Sequence, residues 1–332
     1  MSARSADELA LRGGVLVVGE AIIDIISSPG VPPQEHVGGS PANVALGLGR
    51  LGVPVRLHTA LARDSRGARI AAHLEGEGVR IDPASWHLLT TPTAHARIVA
   101  DGSATYEFDL VWDLAESPRP ERERLLHVGS LGAFLRPGAD IVEGFVHRLP
   151  AELLVTFDPN IRAALIGDRA EAVRRAEAIA ARAAIVKFSD EDADWLYPDL
   201  AIPDVIDRLL GIGVSVVAIT LGEAGAVLAS PRARVRVSAP QVEVVDTVGA
   251  GDTFMAALID RALDAPSALH GADELNLVAL ANHAVAAASV TVSRAGADLP
   301  SRPDIAQAKH TIRQVRSGPR TGPNATTERM AT

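Results

Sequence analysis

The chain has 332 residues, 47% of them apolar, enough for one large α/β domain or one with a small appendage. Its formal charge is −9 without a basic block, which argues against non-specific nucleic-acid binding, and the absence of Cys excludes disulfides, Cys-based zinc sites and thiol nucleophiles. Residues 1–14 lack an apolar stretch of signal-peptide length, and no run reaches the ~18 apolar residues that span a bilayer. A cytoplasmic protein without membrane contact is therefore the expectation.

Residues 1–12 are polar and expected to be disordered. The β-branched run "VLVVGEAIIDII" (15–26) predicts a buried strand, and "PANVALGLGRLG" after it starts with Pro41 and has helical spacing. "VRLHTAL" predicts a short strand and 65–77 a helix. The stretch 85–111 has strand-like composition with a turn at Asp101-Gly102 and several of the few aromatics, which suggests a small antiparallel sheet projecting from the body. Strands and helices then alternate: "LLHVGS", a helix near 138–149, "LLVTFDPN", a helix near 168–183, "AIVKFS", helices at 190–196 and 202–212, and "VSVVAITLG". This order predicts a mostly parallel sheet flanked by helices, with "GAVLAS" and "RVRVSA" as an antiparallel edge. Helices follow near 250–263 and 273–291, and a tail rich in Gly, Pro, Thr and Asn, 317–332, is expected to be disordered. One domain over 13–316 is the expected organisation.

Several motif matches fail on context. Gly47, Gly49 and Gly52 satisfy GxGxxG, but they end a helical pattern, whereas a dinucleotide fingerprint opens one after a strand. "VGSLG" (128–132) lacks the first Gly of a nucleophile elbow, and there is no Gly-Lys pair for a Walker A loop.

The informative stretch is "DTVGAGDTF" (246–254). A helix beginning near Gly251 directs unpartnered N–H groups and a positive dipole end outward. Glycines let an anion reach that backbone, so Gly249, Ala250 and Gly251 can form an anion hole for a phosphoryl group. Asp252 at its rim would repel a phosphate and bind it poorly, but it suits a general base that takes a proton from a hydroxyl. The alternative is an acid that only complements the helix dipole.

"DTVGAGDTFMAAL" (246–258) and "GGSPANVA" (38–45) together resemble the two signatures of the ribokinase-like (PfkB) family of sugar kinases, in the right order, over about residues 14–310. The resemblance implies a central, mostly parallel sheet flanked by helices, with a small β lid over the sugar, contributed mainly by 85–111. It implies Asp252 as base and the amides of Gly249, Ala250 and Gly251 as stabilisers of the transferred group. On the sugar side it implies Asp24, taken to end the first strand; Gly38 and Gly39, which would let the sugar approach the backbone; and Asn43, which can donate and accept at once. A turn role for Asp24 and a local helix-start bond for Asn43 are the alternatives. "DPNIR" resembles the corresponding segment of the fructokinase and 2-keto-3-deoxygluconate kinase branch, where Arg162 would reach the sugar or the transferred phosphate, and a plain surface Arg is the alternative. Arg97 and Tyr106 would close over the sugar, or else serve lid packing or a dimer contact.

On the nucleotide side, Thr220, Gly222 and Gly225 of "TLGEAG" resemble the family's phosphate turn, and Asn282 lies on the helix that lines the adenine pocket. Lys187 meets a nucleotide phosphate or is a solvated strand end. Ser189 and Asp192 stand where many members have an Asn-x-x-Glu motif tied to Mg²⁺; Asp192 is a shorter acid, and Glu191 could take over its contact through Mg²⁺-bound water. Asp246 and Val248, with the loop 293–297, occupy the places that hold a monovalent cation such as K⁺ in relatives. The expected activity is transfer of the γ-phosphoryl group of ATP to a primary hydroxyl, with fructose first, then an acid sugar such as 2-keto-3-deoxygluconate. A non-catalytic sugar sensor on the same fold is the rival from another class. A homodimer through the lid is implied by analogy only.

Overall fold

The computed structural model describes residues 13–98 and 104–317. The run at 15–26, expected to be one strand, is two. β1 (Gly14–Val18) ends at a bend, and β2 (Ile22–Ser28) runs in a different sheet. Close packing requires glycine at the bend: a Cβ on Gly19 would stand 2.2 Å from Pro41 Cγ. Burial is continuous from Val15 to Ile23, so composition does not reveal the change of sheet.

β3 (Val31–Gly38), α1 (Ser40–Arg50), β4 (Val55–His58), β5 (Leu61–Ala62), α2 (Ser65–Glu75), β6 (Val79–Ile81), β7 (Trp86–Leu88), β8 (Thr93–Ile98) and β9 (Ala104–Asp109) complete the first part. The expected alternation then follows as β10 (Glu123–Gly129), α3 (Gly138–Arg148), β11 (Leu154–Asp158), α4 (Arg169–Ala180), β12 (Ile185–Ser189), α5 (Asp190–Leu196), α6 (Ile202–Ile212) and β13 (Val216–Thr220). β14 (Ala226–Ala229), β15 (Arg234–Val237), α7 (Ala250–Asp264), α8 (Glu274–Val292) and α9 (Arg302–Ser317) close the described chain.

Nine strands form the main sheet in the order β15-β14-β13-β12-β11-β10-β1-β4-β6. Neighbours from β6 to β13 are parallel, and β14 and β15 form the antiparallel edge. Period-2 alternation divides each strand between two cores. Val15 and Val17 pack with α1, α7 and α8, while Leu16 and Val18 pack with α3, α4 and α6. Burial on both faces explains the unbroken apolar runs, and each fully buried Val or Leu contributes about 1.5–3 kcal/mol.

The glycines of the false dinucleotide match serve this packing. A Cβ on Gly47 would lie 3.0 Å from Ala256 Cβ, so α1 and α7 touch there, and one on Gly49 would lie 2.2 Å from the Glu77 carbonyl oxygen. α8 is, among the described residues, a helix long and apolar enough to cross a membrane, although no unbroken apolar run of that length exists; 56% of its apolar stretch is buried inside the fold. It packs on α7, α9, β14 and β15 as a core helix. α9 carries no strong sequence signal. Long-range contacts hold it: Arg302 is paired with the buried Asp260 of α7 and donates to the Leu51 carbonyl at 2.6 Å.

The smaller sheet has the order β3-β2-β8-β9, so half of it comes from residues 22–38 rather than from 85–111, and β7 pairs with β5 in a separate two-stranded sheet. "VPPQEHVG" (31–38) hid β3, because its two prolines argue against a strand; they are tolerated because β3 is an edge. The turn expected at Asp101-Gly102 lies outside the described residues.

Candidate active site

Open α/β sheets bind ligands beyond the carboxyl ends of their strands, where the strand order reverses. Here that reversal lies between β1 and β10. Glu20 follows β1, Ser130 follows β10, Asp158 ends β11 and Ser189 ends β12 at this edge. The N-termini of α1 and α7 converge on it. α2, α4, α5 and α8 begin with Asp64, Asp168, Ser189 and Asp273, whose side chains accept first-turn N–H groups. α1 and α7 begin instead with Gly39 at φ 100° and Gly249 at φ 77°, with no side-chain cap. Their first-turn donors are left for another acceptor.

At α7 the amides are not all open. Ala250 N–H donates to the Thr247 carbonyl at 3.2 Å, which corrects the expectation of three free donors, and a turn bond of this kind is invisible in sequence. The N–H groups of Gly249, Gly251 and Asp252 have no acceptor among the described residues. Asp252 is buried, and both of its oxygens are held from α1. Ser40 Oγ donates to Oδ1 at 2.6 Å and Asn43 Nδ2 donates to Oδ2 at 2.8 Å. Burial raises the Asp252 carboxyl above its usual range, against the pull of these two donors, Lys187 and Arg162.

Lys187 is not a solvated strand end, because it is only 3% exposed. Its Nζ donates to Asp158 Oδ2 at 2.8 Å and would stand 3.0 Å from a Cβ on Gly251. Burial opposes the ammonium charge, but Asp158 and Asp192 outweigh it and hold the amine above its ordinary range. Burial pushes Asp158 up to about 6 despite Lys187, and its Oδ1 has no partner among the described residues. A buried cation therefore sits beside the glycine loop that starts α7, locked to a buried carboxylate.

Asp24 does not end the first strand. It lies inside β2, in the small sheet, and burial raises its carboxyl, with Arg162 and His36 pulling the other way. The glycines beside it are crowded by protein. A Cβ on Gly38 would meet Asp24 Oδ2 at 2.0 Å, and one on Gly39 would meet the Glu20 carbonyl oxygen at 2.6 Å. Arg162 is exposed and donates to Asn160 Oδ1 at 2.8 Å; its charge lowers Glu20, Asp24 and Asp252 alike. Arg97 does not share the Asp24 face. Asp24 pairs in register with Ala94 and Ser27 with Arg97, so Arg97 points to the opposite face of the sheet. Tyr106 lies in β9 opposite Ala96.

Ser189 caps α5 and is paired in register with Thr220 on β13. Asp192 is turned inward: Oδ1 accepts from Ile161 N–H at 2.7 Å and Oδ2 from Ser189 N–H at 2.8 Å. Glu191 is exposed. Gly222 (φ 53°) and Gly225 (φ 93°) shape the turn after β13, where a Cβ on Gly225 would meet the Val237 carbonyl oxygen at 2.0 Å. Asn282 is half-buried on α8, and no hydrogen bond ties it to the other candidates among the described residues. Asp246 joins the two segments expected beside a cation: Oδ1 accepts from Val248 N–H at 3.0 Å and Oδ2 from Gly296 N–H at 2.9 Å, which hold its carboxyl below the usual range.

Three residues escaped the sequence reading. Ser40 holds Asp252, Asp158 holds Lys187, and Glu20 accepts from Gly132 N–H at 2.9 Å and from Ser130. Burial pushes the Glu20 carboxyl up to about 7. Ser40 lies inside the quoted glycine motif, Asp158 opens "DPNIR" and Glu20 interrupts an apolar run, so a polar residue inside an apolar or glycine motif was the available signal.

The profile of the pfkB family carbohydrate kinase matches residues 13–304. The chain is 33% identical over 258 residues to a fructokinase from Rhizobium leguminosarum bv. trifolii, covering 74% of this chain and 78% of the relative. It is 30% identical over 319 residues to fructokinase-1 of Zea mays, covering 91% and 98%. A double mutant of Vibrio cholerae O395 fructokinase, solved with fructose, ADP and potassium ion bound, superposes with a TM-score of 0.75 at 24% identity, over 89% of this chain and 98% of that one. The fold is thus ribokinase-like, and the chain belongs to the pfkB family of carbohydrate kinases, phosphotransferases that act on a sugar hydroxyl.

Proposed function

We propose that the protein is an ATP-dependent fructokinase whose catalytic unit spans residues 13–316, in the cytoplasm where ATP is available. The observation that carries the chemistry is Asp252: a buried carboxylate at the N-terminus of α7, beside unpartnered amides and above a buried ammonium. In this reading the acceptor's primary hydroxyl donates its proton to Asp252. A lone pair on its oxygen forms the new bond to the γ-phosphorus as the bond from that phosphorus to the β–γ bridging oxygen breaks, and the electron pair leaves on ADP. The amides of Gly249 and Gly251, with the Lys187 charge behind them, stabilise the phosphoryl group in flight. Asp252 then returns its proton to solvent.

Asp24 and Asn43 hold the sugar hydroxyls, and Arg162 at the mouth faces sugar or product phosphate. We read the four-stranded sheet as the lid, and its Asp24 face as the one that covers the sugar. Fructose is favoured by the fructokinase relatives and by local charge. Glu20 and Asp24 flank the site and Arg162 is the cation they share, which suits a neutral sugar better than an acid one.

Mg²⁺, which screens ATP charge, would be carried mainly by the nucleotide's phosphates. Among the described residues no cluster of three acidic or His ligands exists, and both Asp192 oxygens already accept N–H groups. K⁺ beside Asp246 would rest mostly on loop carbonyls, since the Asp246 oxygens are likewise engaged. Thr220, Gly222, Gly225, Ser189 and Asn282 are assigned to the nucleotide.

The test is ADP release with MgATP against fructose, ribose, glucose, 2-keto-3-deoxygluconate, tagatose and adenosine, with and without K⁺, with Asp252→Asn as control. Fructose as the strong responder, lost in that variant, is the expected result. Another responder replaces fructose. Silence across the panel from a folded protein that binds ATP would overturn the fructokinase reading in favour of a sugar sensor.

A further inference from the structure

The base proposed above does not stand alone. Ser40 is the first residue of α1 and Asp252 lies in the first turn of α7. The two helices are held together behind the site at Gly47, where a Cβ would come within 3.0 Å of Ala256 Cβ. This contact brings the two N-termini face to face. Ser40 is buried, and its hydroxyl lies 2.6 Å from Asp252 Oδ1, the short distance expected of a hydroxyl donating to a carboxylate. Asn43, one turn further along α1, reaches the other oxygen.

We propose that Ser40 is a positioning residue: its hydroxyl fixes Asp252 Oδ1, so that Oδ2 is the atom that takes the proton of the acceptor hydroxyl. The assignment rests on the reading of Asp252 as the base. Oδ2 accepts one N–H bond from Asn43 and keeps a second lone pair for an incoming O–H. Asn43 can then turn its amide oxygen to another sugar hydroxyl, whereas Ser40 is enclosed and keeps a single task. Without Ser40 the carboxylate loses one of two donors and turns more freely about its side-chain bonds.

The charged groups around Asp252 are Lys187 on β12, Asp158 on β11 and Arg162 just beyond β11, and Ser40→Ala touches none of them. The variant removes a donor that favours the ionised form, so the carboxyl titrates at higher pH. The experiment is a kcat/KM profile against pH for the wild type, Ser40→Ala, Ser40→Thr and Asp252→Asn, with the sugar that responds best. The acidic limb should move upward by about one pH unit in Ser40→Ala, corresponding to one lost hydrogen bond to a charged group. Plateau kcat should fall roughly 3–10-fold with sugar KM changed less than about 2-fold, and Ser40→Thr should return the limb toward the wild type. An unmoved limb in Ser40→Ala, with Asp252→Asn inactive, overturns the role of Ser40 alone. Full activity in Asp252→Asn removes the base assignment and this proposal with it.

Discussion

Helices α1 and α7 both start with a glycine at positive φ and without a side-chain cap, yet the space over their glycines differs. At α1 it is filled by protein: the Asp24 carboxylate covers Gly38 and the Glu20 carbonyl covers Gly39. At α7 a Cβ on Gly249 would also meet protein, Ala297 Cβ at 2.9 Å, but the near neighbour of Gly251 is the Lys187 ammonium, and the amides of both glycines stay open. The first loop uses glycine to bring a carboxylate against its own backbone. The second uses it to leave donors facing outward. One sequence device therefore sets a carboxylate over Gly38, which leads into α1, and an ammonium over Gly251, in the first turn of α7. α1 supplies neutral donors, Ser40 and Asn43, and α7 supplies the acid they hold.

The largest effect expected is at the α7 end. Asp252→Asn should lower turnover by roughly 10²–10⁴ while ATP binding measured by calorimetry is retained. Near-normal turnover would remove the distinction between the two ends.

Asp24→Ala should raise the sugar KM by roughly 10–10² with a smaller change in kcat, as expected for loss of hydrogen bonds to a charged group. Gly38→Ala should act in the same direction, because the new methyl takes the place of Asp24 Oδ2. Gly251→Ala should instead lower kcat about tenfold, since the new methyl would stand 3.0 Å from the Lys187 ammonium and press on the group behind the loop. If both glycine variants changed the same kinetic constant, the comparison would fail.

The Glu20 carboxyl, held by Gly132 N–H and Ser130 beyond β10, makes stability sensitive to pH. Its pKa is at about 7 in the fold against a reference of 4.5. Between these values the folded chain keeps a proton that the unfolded chain has lost. This contribution to stability is full below 4.5 and is lost as pH rises through about 7, about 3 kcal/mol in all. Urea unfolding at about pH 5 and about pH 8 should show this fall, and Glu20→Gln should flatten it. An equal slope in the variant would assign the dependence elsewhere.

The smallest effect is expected at Arg97. It faces away from Asp24, so Arg97→Ala should change the sugar KM less than about 2-fold. A large rise would mean that the sheet presents its other face to the sugar.

Much of this was legible in the sequence, for local reasons. Alternating apolar runs and helical spacing specify β10 through α8 because period and burial are encoded residue by residue. The motif at 246–254 specifies a glycine-started helix with Asp252 in its first turn, since backbone freedom and helix polarity depend on neighbours in the chain. Lys187, Asp24 and Asn43 were implied by the resemblance to the sugar-kinase family, through their places relative to its motifs.

Tertiary structure decided what those residues touch. The run 15–26 divides between two sheets because β1 finds its partners in β4 and β10 and β2 finds its own in β3 and β8. β3 becomes part of the small sheet despite two prolines because an edge spares their missing N–H groups. The pairing of Lys187 with Asp158 spans 29 residues, and the bond from Ser40 to Asp252 spans 212. No local pattern records contacts of that separation. The first arises when β11 and β12 pair, and the second when α1 and α7 pack through Gly47 and bring one helix's donors onto the other helix's acid.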